Sequence, residues 1–104
     1  MVLHVMKWTI HPDKREAYEA WAQNTLSKVV SVGRVVELRG YRAATGSSQI
    51  VATVEFANMH DWAEWHSHEM VQEIMIGMRT VATNVTSELW GPSPMTPEPV
   101  RPNG

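Results

Sequence analysis

The chain has 104 residues, no cysteine and a formal net charge of −2. That length suits one domain able to bury an adequate core without metal or crosslinks, and the lack of cysteine excludes disulfides and thiolate chemistry. Scattered Lys and Arg give no electrostatic footprint for nucleic acid, and no apolar run approaches the ~20 residues of a membrane span. The unusual content is five tryptophans, seven methionines and five histidines, a set that can line a pocket as well as fill a core.

Residues Val2 to Ile10 alternate, with Val2, His4, Met6, Trp8 and Ile10 on one face of a strand and Leu3, Val5, Lys7 and Thr9 on the other. The segment lacks the basic start and small-residue cleavage site of a signal peptide, so a cytoplasmic protein is expected. His11-Pro12-Asp13 opens a helix, since Pro is tolerated in a first turn and Asp13 and Glu16 suit its positive end. Tyr18, Trp21, Ala22, Thr25 and Val29 follow helical spacing toward the sheet, with Leu26 and Val30 beside them, and Gly33 is the natural stop.

Two strands are expected over Arg34–Ala43 and Ser48–Ala57, joined by a hairpin loop at Ala44-Thr45-Gly46-Ser47. Asn58, with Asp61 three residues on, caps a second helix that carries Trp62, Trp65 and His66 and runs or resumes through Met70, Val71, Ile74 and Met75 to about Thr80. The β-branched run from Val81 to Val85, ending in Glu88-Leu89-Trp90, suggests a last strand. Residues 1–91 therefore form one domain. Residues 92–104 form a tail, in a stretch from Gly91 with five prolines that excludes regular helix or sheet.

Strand, helix, strand, then strand, helix, strand is the order of the ferredoxin-like α+β fold, βαββαβ with a four-stranded antiparallel sheet. Two helices cover one face of such a sheet. The other face must meet water or a second subunit, and its apolar content favours the subunit.

Three elements carry a family resemblance over residues 2–90. They are the first strand running into His11-Pro12-Asp13-Lys14 with the aromatic Tyr18, the loop at Val32-Gly33, and Glu55-Phe56-Ala57-Asn58 with His66 eleven residues beyond Glu55. On these residues the chain resembles the dimeric α+β barrel superfamily, and within it the antibiotic-biosynthesis-monooxygenase-like domains. Glu55 and His66 fit positions common in that family, while Ala57 stands where an aromatic is usual. The resemblance implies a homodimer with its sheets face to face, a pocket in each subunit between sheet and helices, and oxidation of polycyclic aromatic substrates without cofactor. Heme-degrading relatives use an Asn on the first strand and a later His; here Met6 or Lys7 holds the first place and no His follows His68.

Trp62, Trp65, His66 and Glu69 share one helical face if the helix is unbroken through Ser67. An aromatic wall with one titratable imidazole suits holding a flat ligand and moving a proton. The expected site thus has His66 as catalytic base, with His4, Trp8, Trp21, Trp62 and Trp65 binding the substrate. Packing of the same side chains as core is the competing explanation. His60, Glu64 and His68 span about 12 Å along a helix, too far to share one ion, so no metal is expected. The functional expectation is a small-molecule-handling homodimer, a cofactor-independent monooxygenase on a planar aromatic or quinol-like metabolite. A non-catalytic ligand-binding or stress-related dimer is the alternative, and an isomerase or decarboxylase on the same scaffold is not separated from the first.

Overall fold

The structure is a computed structural model and describes residues 1–46 and 48–102. Strand β1 (Val2–Ile10) leads through a 3-10 turn (Pro12–Lys14) into helix α1 (Arg15–Ser31). Strands β2 (Val35–Arg42) and β3 (Ile50–Phe56), helices α2 (Met59–His66) and α3 (Glu69–Val81), and strand β4 (Ala82–Trp90) follow. The sheet order is β2-β3-β1-β4 with every neighbour antiparallel, the ferredoxin-like arrangement expected from the element order. The connection between β2 and β3 spans residues 43–49; of the expected Ala44–Ser47 loop, Ser47 lies outside the described residues, as do Asn103 and Gly104 of the tail.

The strand register assigns the faces. Val2, His4, Met6 and Trp8 pair with Phe56, Val54, Ala52 and Ile50, and this alternate set lies beneath the helices in two packed clusters that take in Trp65, Val71, Met78 and Val29. One residue of β4 is extra: Lys7 pairs with Thr86 but Thr9 with Thr83, so Trp8 faces a bulge where Asn84 adopts a left-handed φ of 54°. Asn tolerates that backbone better than most residues, and the bulge keeps both Ala82 and Ser87 on the helix side.

Helix α1 departs from expectation at two positions. Leu26 and Val30 are 56% and 46% exposed. Each follows a buried residue, Thr25 or Val29, and one step along a helix turns a side chain about 100°, which carries these two past the sheet. The helix stops at Gly33 (φ 98°), as the sequence suggests, and Arg34 continues left-handed at φ 71°. The Arg34 guanidinium pairs with Asp61 Oδ1 at 2.9 Å, while Asn58 Oδ1 accepts the Asp61 N–H, so the α1 exit is tied to the start of α2.

Of the two readings of the second helical region, running on or resuming, the structure has the second: α2 ends at His66 and α3 begins at Glu69. The chain turns at Ser67 and His68, where the His68 imidazole accepts the Met70 N–H and so begins a new helix, while Gln72 Nε2 donates to the His66 carbonyl. Glu69 is therefore the first, exposed residue of α3 and does not continue the Trp62-Trp65-His66 stripe. Val81, expected in the last strand, closes α3 instead; it is buried, and its carbonyl accepts the His11 N–H at 3.0 Å.

The uncovered face of the sheet is mixed. Leu3, Val5, Val51, Tyr41 and Trp90 alternate there with charged side chains paired as Lys7 with Glu88 at 3.3 Å and Arg39 with Glu37 at 2.9 Å. Beyond Trp90, the described tail has an isolated bridge between Ser93 and Thr96 and leaves Met95 and Val100 outside, 89% and 81% exposed. No helix among the described residues is long and apolar enough to cross a membrane.

Candidate functional site

A row of side chains across the sheet decides where space is left. Gly40, Ala52, Met6 and Ser87 are neighbours in register on the helix-facing side, so in β2 and β3 that row offers one methyl group or nothing. A Cβ built on Gly40 meets no atom within 4 Å. Gly inside a strand contributes no packing and marks a place where something else approaches. Above this low floor, between α1 and α3, lies a partly open cavity of about 260 Å³.

Its walls are mainly apolar, with Arg39 at the β2 edge as the one charged residue among the described lining residues. Trp8, Trp21 and Trp65 stand around it, with Met75 and Met78 from α3 above. Trp21 reaches its place because Gly77 is bare: a Cβ there would come within 3.1 Å of the indole Nε1. Trp65 is anchored by an Nε1–H donated to the Val29 carbonyl at 3.1 Å, and its ring packs on Phe56. Tyr18 and Thr25 bring hydroxyl groups to the lining, and Tyr18 Oη accepts the Trp8 Nε1–H at 3.1 Å. Among the described residues, the lining holds no carboxylate and no imidazole.

The remaining expected site residues form a second cluster on the far side of Trp65. His4 is 2% exposed. Its Nδ1 accepts the Trp62 Nε1–H at 3.1 Å and its Nε2 lies 3.1 Å from Ser87 Oγ. An indole nitrogen can only donate, so Nδ1 carries no proton and the hydrogen sits on Nε2, where it is donated to Ser87. Burial, reinforced by the neighbouring His66, lowers the His4 pKa to about 4, in agreement with a neutral ring. His66 stacks on Trp62 at 4.9 Å between centroids and lies 5.8 Å from His4.

The six expected residues thus divide into Trp8, Trp21 and Trp65 around the cavity, and His4, Trp62 and His66 in an adjoining cluster. Trp65 joins them, since it lines the cavity and also meets His4 edge-on at 5.3 Å. The residues that open the cavity, Gly40, Ala52 and Gly77, have no chemistry to advertise. Their signal in the sequence was a glycine at an inward strand position between Leu38 and Arg42. His68, considered for metal binding, spends its Nδ1 on capping α3, and His60 pairs with Glu64 at 3.6 Å.

Comparison with known proteins adds the fold's relatives. No family model matches the chain, and no curated protein matches it in sequence. Solved structures do match. SnoaB, a cofactor-independent oxygenase from Streptomyces nogalater crystallised as a mutant, superposes with a TM-score of 0.73 at 16% identity, over 93% of this chain and 97% of that one. A Dabb family protein with a ferredoxin-like fold from Mesorhizobium loti gives 0.78 at 10% identity, over 88% and 96%. An antibiotic biosynthesis monooxygenase gives 0.73 at 10% identity, over 90% and 100%.

The neutral state of His4 has a measurable consequence. Its pKa is about 4 folded against 6.5 unfolded, so the unfolded chain binds the extra proton. Stability from this group is complete above about pH 6.5 and is lost as pH falls toward 4, at up to about 1.4 kcal/mol per pH unit. Denaturant unfolding at pH 7, 5.5 and 4.5 should show that loss in the wild type and a shallower one in His4→Gln. Parallel pH slopes for the two proteins would contradict the assignment.

The chain shares the fold of the solved structures it matches, a ferredoxin-like α+β fold.

Proposed function

We propose that this protein is a homodimer that takes a planar, largely apolar small molecule into the cavity between α1, α3 and the sheet. The carrying observation is the cavity itself: about 260 Å³, floored by Gly40 and Ala52 and walled by Trp8, Trp21 and Trp65. An apolar slot between aromatic rings favours flat rings through area burial and offset stacking. Sheet-to-sheet pairing of two copies would cover Leu3, Val51, Tyr41 and Trp90; of the charged side chains beside them, Lys7 pairs with Glu88 and Arg39 with Glu37 within one chain, while Glu55 stands opposite Leu3.

Cofactor-independent oxygenation is the second reading, supported by likeness in fold to SnoaB. In that reading a base removes an acidic proton from the bound ligand, and the resulting electron-rich carbanion reacts directly with O₂ in a water-poor site. His66 is the better candidate for the base. His4 already holds the Trp62 N–H on Nδ1 and has a pKa of about 4, which makes it a poor proton acceptor at neutral pH. Trp65 stands between either imidazole and the cavity, so ligand binding has the firmer support and proton abstraction would require that indole to move. The cytoplasm as the place of action, and residues 92–104 as a tail separate from the domain of residues 1–91, belong to the same proposal.

Gly40→Val tests the cavity. The backbone there is not left-handed, the Cβ has open space and valine favours strands, so the variant should fold while its side chain fills the floor. Quenching of tryptophan fluorescence by a flat tricyclic hydrocarbon should saturate in the wild type, with about tenfold or greater weakening in the variant. Equal affinities would place the ligand elsewhere. Light scattering should give twice 11.8 kDa, and a monomer at micromolar concentration would remove the dimer. Oxygen uptake with a quinol substrate that is unchanged in His66→Ala would end the proposed role of that residue.

A further inference from the structure

The cavity contains one polar group whose orientation is fixed. Trp8 Nε1 and Tyr18 Oη are 3.1 Å apart. Because the indole can only donate, the phenol oxygen accepts, and the phenol keeps its own hydrogen to give away. Among the described residues, the bond from Trp8 is the only one the Tyr18 hydroxyl makes. Trp8 itself is 5% exposed and pinned in the sheet between Ile50 and the Asn84 bulge, and the Tyr18 ring leans on Trp21 at 5.9 Å. The hydroxyl is therefore held from both sides beside the cavity that all three residues line.

The geometry points to Tyr18 as the hydrogen-bond donor that orients the ligand, and to a planar apolar molecule bearing a neutral carbonyl or quinone oxygen at its edge as the ligand class. This rests on the cavity being the binding site. A hydroxyl that accepts from an N–H is polarised into a better donor. A carboxylate would be poorly served: burying that charge calls for a paired cation, the phenol supplies a single neutral donor, and Arg39, the one cation among the described lining residues, belongs to the opposite face of the sheet, where it pairs with Glu37 at 2.9 Å. A hydrocarbon with no oxygen would bind by stacking alone and gain nothing from Tyr18. Trp8 is then a positioning residue, acting on the ligand through the phenol oxygen it holds.

Fluorene and 9-fluorenone form a matched pair of flat tricyclic probes that differ in one carbonyl group. Fluorescence titration of the wild type should show about threefold to tenfold preference for the ketone, the increment of one hydrogen bond. The infrared carbonyl band of bound 9-fluorenone should lie at lower frequency than in an aprotic solvent. In Tyr18→Phe the affinity ratio should fall to near one and the band shift should vanish. Equal affinities in the wild type, an unshifted band, or a preference that survives in Tyr18→Phe would each overturn the role of Tyr18 while leaving the cavity reading intact. The two wild-type measurements decide the matter even if the variant folds poorly. Failure of both probes to bind would instead remove the cavity reading, and the anchor with it.

Discussion

Side-chain size in a single row of the sheet governs what the protein can do. Helices packed on a sheet normally close the space between layers with interlocking side chains at crystal-like density. Here the row through Gly40 and Ala52 withholds that filling at the β2 and β3 end, while the helices are kept at a distance by bulky residues around it. Trp8 and Ile50 stand on one side of the row, and Leu38, Val54 and Phe56 on the other. The result is a void that no single large residue creates and that one added side chain at the floor would close.

Trp65 gives this arrangement its second property. Its indole is at once a cavity wall, a hydrogen-bond donor to the end of α1 and the lid over His4. The imidazole chemistry of the molecule is thereby kept apart from its binding space. His4 is satisfied on both nitrogens and neutral, as a buried polar group in a well-formed core should be. His66 retains more freedom, stacked on Trp62 at the edge of the same cluster and half-buried. The polar group that does belong to the cavity is a phenol, a donor rather than a base.

Much of the fold was legible in the residues. Alternation over Val2–Ile10, the stop at Gly33 and the Asn58 cap all act through local chemistry, and all three stand where that chemistry puts them. What was left open or not legible has two sources, an uncommon local cap and contacts made across the molecule. Whether the helix runs on or resumes past Ser67 is decided by the first, since an imidazole, not a common capping side chain, begins α3. The same break removes Glu69 from the aromatic stripe. On α1, the hydrophobic character of Leu26 and Val30 suggested burial, yet the helix axis leaves room beneath it for one row and not for its neighbour. At the site, sequence spacing found the large aromatics but could not separate those facing the void from those facing His4. That division depends on which side of Trp65 each ring falls. Tyr18 was legible as an inward helix position, while its hydrogen-bonding role required the position of Trp8.

The central claim is that the space between Ala52, Trp21 and Met75 is a preformed apolar cavity, and xenon binding tests it most directly, because such cavities stay dry and take up xenon. Crystals of the wild type under xenon pressure should show a xenon atom in that space with the surrounding side chains unmoved. A core with no xenon there, in which Trp21 or Leu26 has turned inward to fill the gap, would contradict the account.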